Sequence, residues 1–219
     1  MIFAAGFGKR MAPLTNDRPK PLIEVAGKTL LAHALEPAQL AGLNPILVNA
    51  HYLSDQIEDA LKDENVNVRV EKPEILDTGG GLKAALSDLS GEAVFTMNSD
   101  AVWSGPNPYQ TLLAQWNPDL MDALVLCVPA DHAVGREDAG DFALSETGQV
   151  SRGPGYVYTG AQIIKTAPVA DHHAAVFSLN AIWDILMEKD RLHGAVYAGS
   201  WCDVGRPSSI PLAEAMLNV

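Results

Sequence analysis

The sequence predicts an α/β fold, a Rossmann-like three-layer arrangement with helices on both faces of a mixed, mostly parallel sheet. Short apolar runs alternate with helical segments as far as Val128, which is the pattern of parallel strands joined by helices. A segment rich in Gly, Asp, Pro and Ser interrupts this alternation at 129–160. With 219 residues, 47% of them hydrophobic, the chain can form one domain with a sizeable core.

The elements of the first half follow from apolar periodicity and from capping residues. In the segment at 54–62, Ile57 and Leu61 lie four residues apart on one helical face, and Ser54 is the expected N-cap. Gly42 is expected to end the Ala/Leu-rich helix at 29–40. The expected strands are 1–5, 45–50, 66–70, 93–97 and 123–128, and the expected helices are 29–40, 54–62, 82–89 and 108–116.

The second half is expected to contain an inserted region and then a return to alternation. Short strands at 141–144 and 149–150 indicate an antiparallel lid, spanning 129–160, that covers the ligand within the single domain 1–219. Strands are expected at 156–164 and 195–197, and helices at 178–189, capped by Ser178, and at 208–217.

Composition excludes several classes of function. The formal charge of −12 argues against a nucleic-acid partner, which would need a basic face. Cys127 and Cys202 are far apart and form no CxxC pair, so neither a zinc site nor a disulfide framework is expected. No apolar run approaches the roughly 18 residues that span a bilayer, and no signal peptide is apparent. We expect a cytoplasmic protein without a membrane partner, a monomer or a weak dimer.

The glycine-rich segment after the first strand carries the strongest chemical signal. It reads Ala-Ala-Gly-Phe-Gly-Lys-Arg-Met-Ala-Pro-Leu-Thr at 4–15 and Arg-Pro-Lys-Pro-Leu at 18–22. Glycines at a strand end let backbone N–H groups approach phosphate oxygens, and Arg10 and Lys20 add positive charge at the same sheet edge. The spacing is not that of a Walker A loop, and Met11 replaces the third glycine of a dinucleotide fingerprint.

Two further segments suit the same ligand. Three consecutive glycines at 79–81 precede an expected helix, where a flat base could lie against bare backbone; a flexible connection is the simpler alternative. The buried strand at 93–97 leads to Asp100, and a carboxylate at the carboxyl end of a core strand suits Mg²⁺, which binds one or two carboxylates together with phosphates and waters.

The string Gly-x-Gly-x-Arg-Met-x-Pro-Leu-Thr, followed by Pro-Lys-Pro-Leu, resembles the signature of the sugar-phosphate nucleotidyltransferases. The resemblance implies the nucleotidyltransferase fold and an enzyme that joins an NTP to a sugar 1-phosphate. It implies that Arg10 holds the β- and γ-phosphates, and that Lys20 neutralises charge at the α-phosphorus and orients the sugar phosphate.

The resemblance also assigns roles elsewhere in the chain. Trp201-Cys202-Asp203-Val204-Gly205 matches a family string, which implies that Asp100 and Asp203 clamp one Mg²⁺. Ser99 stands where the family usually has glycine. The implied nucleotide-binding residues are Ala5, Gly6, Gly8, Glu71, Gly79, Gly80 and Asn98. The implied sugar-binding residues are Gly140, Asp141, Thr159 and Gly160.

Within that family, the runs at 48–53, 77–81 and 140–142 are most similar to the short bacterial uridylyltransferases of cell-wall recycling, which act on N-acetylmuramate α-1-phosphate and UTP. Mannose-1-phosphate guanylyltransferase is the alternative, and no single residue decides between uracil and guanine. A non-catalytic sugar-nucleotide sensor would be marked by the loss of Lys20, Asp100 or Asp203, and all three are present. Choline-phosphate cytidylyl transfer is disfavoured because the lid has no evident aromatic cluster.

Overall fold

The computed structural model describes residues 1–218, and strands and helices alternate through most of the chain. The strands are β1 (Ile2–Phe3), β2 (Glu24–Val25), β3 (Lys28–Thr29), β4 (Leu47–Ala50), β5 (Asn67–Val70), β6 (Ala93–Asn98), β7 (Ala101–Ser104), β8 (Ala123–Pro129), β9 (Ala133–Val134), β10 (Phe142–Leu144), β11 (Val150–Arg152), β12 (Tyr156–Lys165), β13 (Leu192–Val196) and β14 (Ser200–Asp203). The α-helices are α1 (Leu30–Leu40), α2 (Ser54–Leu61), α3 (Asp77–Ala85), α4 (Pro108–Gln115), α5 (Thr166–Ala170), α6 (Leu179–Glu188) and α7 (Ile210–Leu217). Short 3₁₀ turns lie at Lys9–Met11, Lys20–Leu22, Leu86–Asp88, Ala130–His132 and Pro207–Ser209.

Within residues 1–218 the main sheet has nine strands, and all but two of them run in the same direction. Its order is β11-β10-β12-β6-β1-β4-β5, while β8 pairs with β12 and carries β13 on its other side. Strands β1, β4, β5 and β6 are mutually parallel, as are β8 and β13. Strand β12 is antiparallel to β6, β8 and β10, and β11 is antiparallel to β10. The predicted mixed, mostly parallel sheet is confirmed.

Helices cover both faces of this sheet, as β8 illustrates. Leu124 and Leu126 pack in a core that includes side chains of α1, α2 and α4. Val125 and Cys127 point to the opposite face and pack in a core that includes side chains of α3 and α6. Successive strand residues alternate between faces, so a continuous apolar run is what a strand buried on both sides requires. The three-layer arrangement is confirmed, and Cys127 is a core residue.

A second sheet of three strands, β7-β14-β9, was not expected from the sequence. Its antiparallel β7–β14 pair aligns Trp201 with Trp103 and Asp203 with Ala101. The backbone N–H of Val204 donates to the carbonyl of Asp100 over 2.8 Å. Two carboxylates about a hundred residues apart in sequence are therefore neighbours at the edge of the main sheet.

The predicted lid segment at 129–160 forms no separate layer. Strand β9 joins the small sheet, whereas β10, β11 and the beginning of β12 extend the main sheet. The two expected hairpin strands are confirmed with shifted ends, since β10 and β11 pair from Phe142 with Arg152 to Leu144 with Val150.

Two helix starts differ from the sequence expectation. Helix α3 begins at Asp77 and not at Leu82, so its first two turns contain the three glycines. Ser54 is not the N-cap of α2; Leu53 holds that position in the left-handed region at φ +50°, and Ser54 is a buried first helical residue. Ser178 does cap α6, because its hydroxyl oxygen accepts from the backbone N–H of Asn180. No helix within residues 1–218 combines the length and apolar character needed to cross a membrane.

Candidate active site

A cleft of about 540 Å³ lies where β1, β4 and β6 end. The registers of Phe3 with Asn49 and of Phe3 with Asn98 place these strand ends side by side. Parallel strands that end together leave a crevice at their carboxyl edge, which is where open α/β sheets bind ligands. The glycine-rich loop at 4–11, Lys20 and Asp100 all line this cleft.

Close packing around Gly8 fixes the loop. Gly8 adopts φ +61°, and a Cβ added there would lie 2.8 Å from the Cβ of Lys20. The Thr15 hydroxyl donates to the Gly8 carbonyl over 3.0 Å, and the Tyr52 hydroxyl donates to the Thr15 carbonyl over 2.9 Å. A side chain at position 8 would be strained by the left-handed backbone and would collide with Lys20 and Thr15. Glycine at this position therefore lets the loop pack directly against Lys20.

Gly6 contrasts with Gly8 because the space beside it is open. Apart from its two chain neighbours, no residue of 1–218 has an atom within 4 Å of a Cβ added at Gly6, and Gly6 is exposed at the cleft. Two residues before it, Ala4 is anchored through a backbone N–H that donates to Asn49 Oδ1 over 2.8 Å. The open space at Gly6 suits a ligand that approaches the backbone closely.

Glu71, predicted to bind nucleotide, lines the cleft, but its carboxylate mainly holds the cleft wall together by accepting hydrogen bonds from neighbouring residues. It is 4% exposed, Asn49 Nδ2 donates to its Oε1 over 2.7 Å, and the Leu76 N–H donates to its Oε2 over 2.8 Å. A Cβ added at Gly81 would lie 2.6 Å from Oε1. Both carboxylate oxygens are therefore engaged by the protein.

Gly79 and Gly80 were predicted to offer bare backbone to a nucleotide base, and the structure corrects this prediction. Both N–H groups donate to the carbonyl of Phe177, over 2.9 and 3.0 Å. A Cβ added at Gly79 would overlap the Phe177 ring, and one added at Gly80 would overlap the Ala175 carbonyl. The segment before α6 fills the space beside these glycines, so Ile75, Asp77 and Thr78 line the cleft in their place.

The two predicted metal ligands meet beside Lys20. Lys20 Nζ lies 2.9 Å from Asp100 Oδ2, with the two side chains 12% and 33% exposed. Burial raises the pKa of Asp203 above its ordinary value, and the charge of Asp100 raises it further, while Lys20, Arg136 and Arg10 act in the opposite direction. A Cβ added at Gly205 would lie 3.2 Å from both Asp203 carboxylate oxygens and 3.5 Å from Arg10 Nη1.

This donor set fits Mg²⁺ better than a transition metal. Two neighbouring carboxylates repel each other unless a cation lies near both of them. Residues 1–218 contain no group of three or more His, Cys, Asp or Glu side chains able to enclose a metal. Mg²⁺ is the cation that is held by one or two carboxylates while phosphates and waters complete its coordination.

Two further cavities adjoin the cleft. One of about 510 Å³ shares Arg10 and Gly205 with it and adds Arg136, Asp203 and Arg206. The other, of about 260 Å³, shares Phe3, Asp77, Thr78 and Asn98 and reaches β10, β11, β12 and the start of α6. The site is therefore an extended crevice that has room for two ligands.

The four predicted sugar residues have different surroundings. Asp141 lines the 260 Å³ cavity, accepting from Arg136 Nη2 over 3.2 Å and from the Tyr158 N–H over 2.9 Å. Gly140 and Gly160 adopt φ +104° and +91° and pack against Tyr156 and Asn98. Thr159 is a correction: its side chain is 1% exposed and donates to the Leu126 carbonyl over 2.6 Å, so its hydroxyl supports the sheet and is not offered to a ligand.

Sequence reasoning missed several residues that line the crevice. Phe7 is 41% exposed in the loop and packs edge-on against His51, with ring centroids 5.5 Å apart. Thr78 and two arginines, Arg136 and Arg152, line the smaller cavity. The sequence offered a local signal for Phe7, which stands inside the glycine-rich string, and for Thr78, which precedes the three glycines. The two arginines lie in short strands and turns without a motif.

A glycine-rich loop at the carboxyl edge of a mostly parallel sheet, with a lysine and two carboxylates beside it, defines a nucleotidyltransferase of the α/β class. The chain belongs to the MobA-like NTP transferase domain family, whose model matches residues 1–192.

Relatives extend the match to nearly the whole chain. It is 36% identical, over 99% of its length and 96% of the relative's, to an N-acetylmuramate alpha-1-phosphate uridylyltransferase of Caulobacter vibrioides. It is 32% identical, over 99% and 96% of the two lengths, to an enzyme of the same name in Neisseria meningitidis serogroup B. An inositol-1-phosphate CTP transferase from T. maritima has the same fold, with a TM-score of 0.80 over 99% of this chain and 93% of the other at 16% identity.

Proposed function

We propose that the protein catalyses the Mg²⁺-dependent transfer of UMP from UTP to N-acetylmuramic acid α-1-phosphate, giving UDP-N-acetylmuramic acid and pyrophosphate. The observation that carries the proposal is the grouping of Lys20, Asp100 and Asp203 at one end of a cleft lined by the glycine-rich loop. Similarity to two uridylyltransferases over nearly their entire lengths supports the choice of base and sugar.

The loop and its cations bind the triphosphate. Backbone N–H groups around Gly6 approach the phosphate oxygens, because no side chain stands between them and the cleft. Arg10 lies at the boundary of the cleft and the 510 Å³ cavity, so its guanidinium holds the β- and γ-phosphates that leave as pyrophosphate. Uracil lies against the wall formed by Ile75, Asp77 and Thr78.

The chemical step needs positioning and charge neutralisation more than proton transfer. An oxygen of the sugar phosphate attacks the α-phosphorus, and the bond from that phosphorus to the pyrophosphate oxygen breaks in line. The attacking oxygen is already anionic, so no general base is required. Lys20 stabilises the charge that develops on the α-phosphate oxygens and orients the incoming phosphate.

Asp100 and Asp203 would hold the metal. Bound there, Mg²⁺ would neutralise phosphate charge and act as a template for the two substrates. The fit rests on the two adjacent carboxylates and on the raised pKa of Asp203, which burial and the charge of Asp100 cause in spite of the nearby cationic side chains. Lys20, paired with Asp100, reduces the repulsion between the carboxylates without replacing the metal.

The proposal is tested by measuring pyrophosphate release from UTP, GTP, CTP and dTTP against the 1-phosphates of N-acetylmuramate, N-acetylglucosamine, mannose and glucose. We expect the highest rate for UTP with N-acetylmuramate 1-phosphate, and loss of that rate in EDTA. A preference for GTP with mannose 1-phosphate would keep the reaction type and overturn the substrates. Release from no pair, by a folded protein that binds NTPs, would overturn the enzymatic function in favour of a sensor.

A further inference from the structure

The 260 Å³ cavity continues the nucleotide cleft toward β10, β11 and α6. Phe3 and Asn98, at the ends of β1 and β6, line both spaces. An acceptor whose phosphate reached the catalytic end of the cleft could therefore place its sugar in this cavity. The chemistry of the cavity walls then indicates which sugar substituents the site can recognise.

One wall of this cavity is a rigid aromatic surface. The Trp183 ring lies edge-to-face against Tyr158 and Phe142, with centroids 4.8 and 5.8 Å apart. Trp183 Nε1 donates to Gln162 Oε1 over 2.9 Å, and Gln162 Nε2 donates to Thr96 Oγ1 over 3.0 Å. Phe142, Gln162 and Thr96 are fully buried, so these contacts hold the indole in one orientation.

Arg152 lies over this aromatic wall. Its guanidinium carbon is 5.2 Å from the centroid of Phe142 and 5.9 Å from that of Trp183. Arg152 Nη2 donates to Asp184 Oδ1 over 2.7 Å and to Asn180 Oδ1 over 2.8 Å. Stacking and hydrogen bonds together fix the plane of the guanidinium before any ligand arrives.

The guanidinium keeps donor capacity in spite of these contacts. Nη1 of Arg152 donates to no acceptor within residues 1–218, whereas Nε and Nη2 are both engaged. Asp184 is 58% exposed and lies outside the cavity lining, so water screens its charge. Arg152 thus presents a partly uncompensated cation to the cavity.

The other charged groups that line the cavity are each engaged by partners of their own. Arg136 is paired with Asp138 and Asp141, over 2.7 and 3.2 Å. The second oxygen of Asp141 accepts from the Tyr158 N–H, and Asp77 Oδ1 accepts from the Thr78 N–H over 2.6 Å. Among the lining residues, Arg152 is the charged group best placed to bind an anion of the acceptor.

We propose that Arg152 binds a carboxylate on the acceptor sugar and so selects hexosamine 1-phosphates that carry an acidic substituent. The inference rests on the proposed function: N-acetylmuramate differs from N-acetylglucosamine by a lactyl ether that ends in a carboxylate. An arginine fork binds a carboxylate through charge-assisted hydrogen bonds, and the aromatic rings beneath Arg152 hold that fork in one plane. Arg152 is therefore a specificity-determining residue that touches the acceptor away from the reacting atoms.

The test compares two acceptors that differ only in that carboxylate. Rates with UTP are measured for N-acetylmuramate 1-phosphate and N-acetylglucosamine 1-phosphate, at enzyme concentrations high enough to quantify the poorer acceptor. In Arg152→Gln, kcat/KM for the muramate substrate should fall about tenfold or more, mainly through KM, because a charge-assisted hydrogen bond is lost. The value for the glucosamine substrate should stay within about twofold, well below the effect of one lost hydrogen bond.

Three variants serve as controls. Arg152→Lys keeps the charge without the planar fork, so its kcat/KM for the muramate substrate should lie between those of wild type and Arg152→Gln. Arg69→Gln removes an exposed arginine on β5 that pairs with Asp88, and kcat/KM for both acceptors should equal the wild-type values. Asp184→Asn keeps an oxygen that can accept from Arg152 but removes the partner's charge, so the preference for the muramate substrate should be at least as strong as in wild type.

The outcomes separate the inference from the proposed function. Equal losses for both acceptors would assign Arg152 a structural role and overturn the inference, as would unchanged kinetics in Arg152→Gln. A wild-type enzyme that uses UTP with N-acetylglucosamine 1-phosphate but not with the muramate substrate would also overturn it. A wild-type enzyme inactive with both acceptors would overturn the proposed function, and the inference with it.

Discussion

At the scale of single residues, the two glycines of the loop do different work. Gly8 is required by the fold, since a side chain there would meet Lys20 and Thr15 and the backbone is left-handed. Gly6 has open space beside it and no positive φ, so the folded chain itself does not require glycine there. The sequence shows two equivalent glycines, and only the packing around each one separates a structural role from a ligand-binding role.

This difference gives a matched pair of predictions. Gly8→Ala should lower the melting temperature by several degrees, because a strained residue costs on the order of 1–3 kcal/mol. Gly6→Ala should leave the melting temperature unchanged and raise the KM for UTP, since its methyl group would occupy the space of the phosphates. Thermal melts and initial rates on both variants check this. A destabilised Gly6→Ala protein, or normal UTP kinetics in it, would contradict the assignment.

Lys20 carries the clearest kinetic prediction. Lys20→Ala should fold normally and lose about a hundredfold or more in kcat, the size of effect seen when one transition-state donor is removed. The matched control is Lys28→Ala, which removes an exposed lysine paired with Glu36 over 2.8 Å and should keep wild-type kinetics. Single-turnover rates at saturating substrates are the measurement. Near-normal turnover in Lys20→Ala would remove this lysine from the chemical step.

At the scale of elements, the small sheet β7-β14-β9 assembles the site. Pairing of β14 with β7 brings Asp203 beside Asp100, and Gly135, next to β9, packs against the Asp203 carbonyl at φ +81°. Each strand is too short and too irregular in sequence to be recognised alone. The position of Asp203 depends on this tertiary pairing, which apolar periodicity does not encode. Only the resemblance of the string at 201–205 to a family motif indicated that Asp203 acts together with Asp100.

The pairing predicts an unusual dependence of stability on pH. The folded-state pKa of Asp203 is raised above its ordinary value of 3.8, so the native state holds this proton more tightly than the unfolded state. The ionised carboxylate therefore costs stability, and this cost appears as pH rises from about the ordinary value through the raised one. In EDTA, Asp203→Asn should be more stable than wild type at neutral pH, and the difference should vanish at a pH below 3.8.

Denaturant titrations of Asp203→Asn and wild type across this pH range measure the effect. The same variant should be nearly inactive, so its gain in stability would accompany a loss of function, as expected for a ligand site under electrostatic strain. Wild type that was more stable than the variant in EDTA at neutral pH would contradict the origin assigned to the raised pKa.

The elements also show how far sequence reasoning reaches. Strands such as β4, β6 and β8 were predicted within a residue or two, because each is a short, mostly apolar run whose side chains are largely buried. The three-glycine segment was misread because glycine is a poor helix former. It forms the first turns of α3, where Phe177, Ala175 and Glu71 occupy the space that side chains would need. Contacts supplied from distant parts of the chain decided the outcome there.

At the scale of the whole molecule, the crevice gathers enough positive side chains for an acidic protein to bind polyanionic ligands there. The chain carries a formal charge of −12, yet Lys9, Arg10, Lys20 and Arg136 all line the joined cavities. Asp100 and Asp203 lie among these cations, so a divalent ion would convert a mixed site into a strongly positive one. Nucleotide binding should therefore depend on the metal.

Thermal stability should report this coupling. UTP at about 100 times its Kd, with Mg²⁺ present, should add about 2.7 kcal/mol of stability, which for a chain of this size raises the melting temperature by roughly 5–10 °C. In EDTA the shift should be much smaller. In Asp100→Asn, the metal-dependent part of the UTP-induced rise in melting temperature should be lost, while the protein remains folded. Equal shifts with Mg²⁺ and EDTA would contradict a metal held by these carboxylates.

The most direct measurement is a ³¹P NMR record of the enzyme with UTP, N-acetylmuramate 1-phosphate and Mg²⁺. The proposed reaction predicts the two coupled signals of a sugar nucleotide diphosphate and one pyrophosphate signal, growing together at equal molar amounts. It also predicts that the intensities of the UTP signals stay constant over time when EDTA replaces the metal. Formation of UDP and orthophosphate, or of UMP without a sugar nucleotide, would contradict transfer of UMP to the sugar phosphate.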